Sequence, residues 1–151
     1  MNIFLDSSVL IEYEKSTFTK LLDVLQEQEH QLYINTIVVS EYLYKLIAII
    51  GQRSPMSVCE SRKIRETLEK HDTMEFLSAF EYLPVPVEAV PLSIELMKKY
   101  NLLPNDALIL GSCILQGIKV LASHDSDFGA ACQAENMLFL NDETNITTLN
   151  N

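Results

Sequence analysis

The chain has no apolar run near the roughly 20 residues that a membrane-spanning helix needs. Its longest runs are pieces such as LIAII (46–50) and ALILG (107–111). The start, MNIFLDSS, offers neither a basic leader nor a long apolar segment, which excludes a secretory signal and leaves a cytoplasmic protein as the expectation. Cysteine is scarce: Cys59, Cys113 and Cys132 are odd in number and show no CxxC spacing. That excludes a disulfide framework and a cysteine zinc site, leaving reduced structural thiols. Positive charge is also in short supply, with 11 basic against 21 acidic residues and a formal charge of -10. A broad electrostatic grip on nucleic acid is not expected from such a balance.

What remains is ample apolar material for one domain: 151 residues, 48% of them hydrophobic. Short strand-like runs alternate with helical segments. NIFL (2–5), QLYIN (31–35), YLPVPV (82–87), IKVLAS (118–123) and MLFL (137–140) read as five strands, the third placed near an edge by its prolines. IVVSEYLYKLIAII (37–50) is too long for a strand and stops at Gly51, as a helix does when a glycine follows its end. Residues 57–82 read as two helices in a hairpin, within a helical insertion at about 52–82. PNDALILGSCILQG (104–117) has almost no polar face and is expected to be buried all round. Residues 1–142 then form the domain, and the polar tail 143–151 is expected to fray. Strands separated by helices imply right-handed crossovers and a parallel sheet covered on both faces, a three-layer α/β/α sandwich.

Ligands of such sheets gather at the carboxyl ends of the strands. Asp6 directly follows the first strand, Asp125 and Asp127 follow the fourth, and Glu41 lies one turn into the helix leaving the second. Asp106 opens the helix that feeds the fourth strand, and spacing alone does not fix which end of the sheet it occupies. Each acid has an ordinary reading: Asp6 as a helix cap, Asp106 in a first turn, Asp125 and Asp127 as turn residues. Glu41 is harder to dismiss, since Ile37, Tyr44 and Ala48 share its stripe without a cationic partner. Together the acids repel one another unless a cation sits among them. Carboxylates without histidine or cysteine at ligand spacing select a hard ion, Mg²⁺ or Mn²⁺, over zinc. That ion serves phosphodiester hydrolysis without a side-chain nucleophile. His124, beside Asp125, invites the role of general base, but strand alternation turns it away from its neighbour; His30 and His71 lie in charged segments.

LDSSVLIEY (5–13), SEYLYK (40–45), NDALILGSCILQG (105–117) and LASHDSDF (121–128) resemble, in order and separation, the four motifs of PIN-domain ribonucleases, and the layout is most similar to VapC-type toxins of toxin–antitoxin pairs. The resemblance implies a Rossmann-like five-stranded parallel sheet and an acid pocket that binds one or two Mg²⁺ or Mn²⁺ ions and cleaves RNA. It implies metal-ligating and catalytic roles for Asp6, Glu41, Asp106 and Asp125, an auxiliary acid at Asp127, and hydroxyls near the metal at Ser7 and Ser123. Ser123 stands where threonine is more usual. It also implies a homodimer, a cognate antitoxin, and a helical clip in the middle segment, where Arg53, Arg62, Lys63, Arg65 and Lys70 form either an RNA-steering patch or a solvated charged face. Two enzymatic rivals lose on residue identity: a receiver-type phosphoacceptor lacks its lysine and paired acids, and an aspartyl-nucleophile phosphatase finds Ser8 where its second acid belongs. A non-catalytic PIN-like binding or scaffold module remains the principal alternative.

Overall fold

The computed structural model describes residues 1–150, the side chains of 147–150 excepted. Five strands, β1 (Asn2–Leu5), β2 (Gln31–Ile34), β3 (Glu81–Tyr82), β4 (Val120–Ala122) and β5 (Leu138–Leu140), form one sheet in the order β3-β2-β1-β4-β5. Every pairing is parallel, with Ile3 opposite Leu32 on one side and Val120 on the other. The side chains of Ile3, Phe4 and Leu5 are completely buried, so β1 is covered on both faces and the α/β/α sandwich is a three-layer one. No helix among the described residues is long and apolar enough to cross a membrane.

The helices are α1 (Ser7–Glu14), α2 (Lys20–Glu27), α3 (Thr36–Gly51), α4 (Pro55–Glu60), α5 (Ile64–Leu68), α6 (Thr73–Leu77), α7 (Ala89–Tyr100), α8 (Pro104–Leu115) and α9 (Phe128–Ala134). Local chemistry sets their ends. Asn35 caps α3 by accepting from the Ile37 and Val38 amides, both at 3.0 Å. α1 and α2 are separated because Ser16 (φ 56°) and Phe18 (φ 47°) turn left-handed.

Several expectations need correction. The third strand is only Glu81–Tyr82: Pro84 and Pro86 donate no ladder hydrogen bond and end it, although its edge position is as expected. The middle segment holds three short helices, not a two-helix hairpin; Arg62 (φ 57°) breaks the first from the second, and Asp72 caps the third. Gly51 is the last residue of α3, and the left-handed turn falls on Gln52 (φ 52°). The glycine is there for space, since a Cβ would sit 2.8 Å from Val58 Cγ2. The buried stripe of α3 is Val38, Tyr42 and Leu46, with Tyr42 reaching Glu14 at the end of α1, while Tyr44 is exposed. In the tail, a 3₁₀ helix spans Glu143–Asn150 and Ile146 is buried in the core, so the fraying expected of 143–151 does not hold at its start. Residue 151 and the side chains of 147–150 lie outside the described residues. Cys113 and Cys132 are buried free thiols, the latter pushed up to about 12 by burial, whereas Cys59 is exposed.

Candidate active site

Parallel strands with helices returning antiparallel bring strand carboxyl ends and helix N-termini to one rim. α8 reaches β4 through a tight turn closed by the Ile118 amide on the Cys113 carbonyl, so its C-terminus lies at the start of β4. Its N-terminus, carrying Asn105 and Asp106, therefore lies at the opposite rim, the connection that spacing alone left open. There Asp6, Glu41, Asp106 and Asp125 line one pocket of about 640 Å³, together with Ser7, Ser8 and Asn105. Asp127 is not part of its lining; it starts α9 nearby, and its amide donates to Asp125 Oδ1 at 2.9 Å.

Hydroxyls organise the floor. Asp6, only 4% exposed, caps α1 and takes three donors on Oδ2: the Ser8 amide at 3.2 Å, the Ser8 hydroxyl at 2.6 Å and the buried Ser123 hydroxyl at 2.8 Å. Ser123 in turn accepts from the Asp125 amide at 2.9 Å, so one hydroxyl ties the acids after β1 and β4 together. Ser8 Oγ lies 3.1 Å from Ser123 Oγ and accepts from the His124 amide at 3.0 Å. Across the pocket, Ser7 donates to Glu41 Oε2 at 2.8 Å and the Asn105 amide donates to Oε1 at 2.6 Å. Ser8 and Asn105 are the positioning residues that sequence reasoning passed over. In the sequence Ser8 reads as part of a helix start and a motif and as the absence of a second acid, and Asn105 as part of a motif. The signal for both was adjacency to an acid at a helix start, where small polar side chains turn back on the backbone and its neighbours.

The cost of gathering these charges falls on Asp106. Its carboxyl is half-buried and is pushed up to about 7, first by burial, then by Asp6, Asp125, Glu41 and Asp127. Among the described residues no three histidine, cysteine or acidic side chains stand close enough together to hold a metal ion by themselves. An oxygen-only donor set spread around an open pocket does not suit zinc, whose sites are compact and rich in nitrogen or sulfur. It fits Mg²⁺ or Mn²⁺, bound through one or two carboxylates with waters completing the shell.

His124 does not line the acid pocket. Its Nδ1 lies 3.1 Å from the Asn141 carbonyl and its ring faces Phe18 at 5.7 Å. In the middle segment, Lys63 and Lys70 pair with Glu66, and Arg65 with Glu69, all exposed, so three of its five cations are partnered by acids of their own helix or its next turn. The segment is anchored to the sandwich elsewhere. Tyr42 donates to Glu14 Oε1 at 2.6 Å, and His71 Nε2 meets Glu14 Oε2 at 3.0 Å.

Residues 3–133 match the PIN domain family. Two relatives come from Methanocaldococcus jannaschii. Ribonuclease VapC2 is 35% identical over 128 residues, 83% of this chain and 86% of the relative. Ribonuclease VapC6 is 36% identical over 140 residues, 84% and 90% of the two chains. Among solved structures, VapBC2 from Rickettsia felis, bound to a DNA fragment from its promoter, has a TM-score of 0.59 at 16% identity, covering 92% of this chain and 97% of that one. VapC20 from Mycobacterium tuberculosis, a sarcin-ricin loop cleaving toxin, has a TM-score of 0.58 at 14% identity, covering 85% and 94%. These two likenesses concern the fold; the family match and the two relatives above one-third identity carry the assignment, and the chain belongs to the PIN domain family.

Proposed function

We propose that this protein is a metal-dependent endoribonuclease that hydrolyses phosphodiester bonds of single-stranded or structured RNA, acting in the cytoplasm as the toxin of a toxin–antitoxin pair. The observation that carries this reading is the meeting of Asp6, Glu41, Asp106 and Asp125 around one pocket, with Asp106 driven up to about 7 first by burial and then by these neighbours. Four carboxylates around one pocket are costly, and a divalent cation removes that cost. In this reading one or two of Asp6, Glu41, Asp106 and Asp125 ligate the ion directly and the others through its waters, Asp127 assists from the start of α9, and Ser7 and Ser123 fix the carboxylate orientations. Bound there, Mg²⁺ or Mn²⁺ supplies the charge that neutralises phosphate oxygens and acidifies a water. Lys15 and Lys45 stand on the pocket wall beside Tyr44, and Lys45 has no ion-pair partner among the described residues, so it is free to meet a phosphate of the strand.

The formal charge of -10 favours a basic partner over unassisted RNA affinity, in keeping with an antitoxin that holds the toxin silent. The named ribonuclease relatives and the toxin–antitoxin complexes among the structural neighbours support the same assignment. Exposed Val90 and Ile94 on α7 supply an apolar surface for a homodimer.

Cleavage of end-labelled RNA is the test. The protein is expected to cut in Mg²⁺ or Mn²⁺, not in EDTA, and Asp6→Asn is expected to abolish cutting while remaining folded. A scaffold module predicts no cleavage by the parent and no rise in Tm with Mg²⁺; that pair of results overturns the proposal.

A further inference from the structure

A second concavity of about 630 Å³ adjoins the acid pocket, and Ser8, Glu12 and Asp125 line both. Its remaining walls are Phe18, His124, Ser126, Asn141 and Asp142. Phe18 is 75% exposed, held out on the short loop between α1 and α2 with a left-handed backbone (φ 47°) that a phenylalanine rarely adopts. A large apolar ring kept in water by an unfavourable backbone points to a role outside the core. Its ring lies 5.7 Å from that of His124 at an interplanar angle of 46°, a tilted pair open on one side like a half-closed jaw. The carbonyl of Asn141 can only accept, so His124 Nδ1 carries the proton that bridges the 3.1 Å between them. Nε2, on the far side of the ring, is buried and has no hydrogen-bond partner, so the imidazole offers the concavity its ring and not a free nitrogen.

We propose that this concavity is a nucleobase subsite: it takes the base of a nucleotide next to the scissile phosphate of single-stranded RNA. The proposal rests on the nuclease reading for the position of that phosphate, over the acid pocket. Charge excludes the phosphate part of a nucleotide. Glu12, Asp125 and Asp142 face this space and no lysine or arginine lines it, so a phosphate is repelled. A base is uncharged, offers a π-face to Phe18 and His124, and brings N–H donors to a wall that is rich in acceptors. Bases that present an exocyclic amino group are favoured over uracil, whose single ring N–H is flanked by two carbonyls, because the carboxylates of this wall only accept.

The chain has no tryptophan, so Phe18→Trp installs a single tryptophan at the jaw, whose emission is excited apart from that of the six tyrosines. In EDTA, a random-sequence single-stranded RNA of about 12 nucleotides is expected to quench it, while an abasic ribose-phosphate strand of the same length does not. Phe18→Ala is expected to bind the same RNA about tenfold to a hundredfold more weakly, and to bind the abasic strand as the parent does. In Mg²⁺, cleavage of the random pool is expected to favour an amino-bearing base at one position beside the cut, and Phe18→Ala to lose that preference. Equal quenching by the two strands, or a preference unchanged in Phe18→Ala, overturns the subsite even if cleavage is intact. Base-dependent quenching in Phe18→Trp, together with a parent that does not cleave in Mg²⁺, leaves the subsite standing and overturns the nuclease reading instead.

Discussion

Replacing Asp106 by asparagine separates the two consequences of crowding acids around the pocket. The Asp106 carboxyl moves from its ordinary 3.8 to about 7, chiefly through burial and then through the fields of Asp6, Asp125, Glu41 and Asp127. A shift of about three units corresponds to at most about 4 kcal/mol once the group must ionise. The side chain is half open to water, and screening reduces the figure to about 1–2 kcal/mol. Because the folded value is raised, the favourable contribution is complete below about 3.8 and is lost as pH climbs through about 7. Asparagine has a similar shape and never ionises. Asp106→Asn should therefore match the parent near pH 4 and exceed it near pH 8 by about 1–2 kcal/mol, or about 2–8 °C in Tm for a domain of this size.

Thermal unfolding followed by circular dichroism in EDTA, at several pH values between these limits, measures the difference directly. Titrating groups outside the pocket cancel between parent and variant, provided that both melt in two states. Added Mg²⁺ should close or reverse the gap, since the parent gains by linkage and the variant gains less. RNA cleavage should fall in the same variant that gained stability, which is the trade expected where charges are gathered for function. A Tm difference that stays constant across the pH range would refute the claim that neighbouring acids and burial load this carboxyl.

Three further substitutions probe the supports around the pocket. Ser123→Ala removes the buried hydroxyl between Asp6 and the Asp125 amide, and should cost about 1–3 kcal/mol in denaturant unfolding while also lowering cleavage. Tyr42→Phe deletes the 2.6 Å donor to Glu14 in the joint between α1, α3 and the middle segment; a loss of about 1–2 kcal/mol is expected, read as a fall in urea midpoint with unchanged m-value. Gly51→Ala drives a Cβ to 2.8 Å from Val58 Cγ2, and overpacking should cost about 1–3 kcal/mol by thermal melting despite alanine's better helix propensity.

The parts of the fold legible in the sequence are those where one periodicity dominates. Four of the five strands lie within the apolar runs read for them, because parallel strands buried on both faces leave uninterrupted hydrophobic stretches. The acids at the ends of β1 and β4 were legible for a related reason, since a charge cannot continue a doubly buried strand and must emerge at its end. The misreadings arose where a residue serves a neighbour distant in sequence. Gly51 looks like a helix terminator in one dimension, yet it accommodates Val58 from the next helix. Tyr44 shares an apolar stripe with Glu41 in one dimension, but the buried line of α3 runs through Val38, Tyr42 and Leu46 and leaves Tyr44 in water.

The hydroxyls explain how the chain folds before any ion arrives. Without donors, carboxylates after β1 and β4 and at the N-termini of α3 and α8 would each seek water, and the rim would splay. Ser8 and Ser123 instead hold Asp6, and Ser7 with Asn105 hold both oxygens of Glu41. Asp106 receives no such donor among the described side chains, and it is the acid whose proton is retained up to about 7. A proton relieves its repulsion in the free protein; in the proposed nuclease a cation would do so instead, and the two would compete for one carboxylate. Metal binding, followed by calorimetry in buffers of different ionisation enthalpy, should therefore release protons near pH 6 and almost none near pH 9. Asp106→Asn should abolish that release, and proton release surviving in the variant would assign the competition to a different acid.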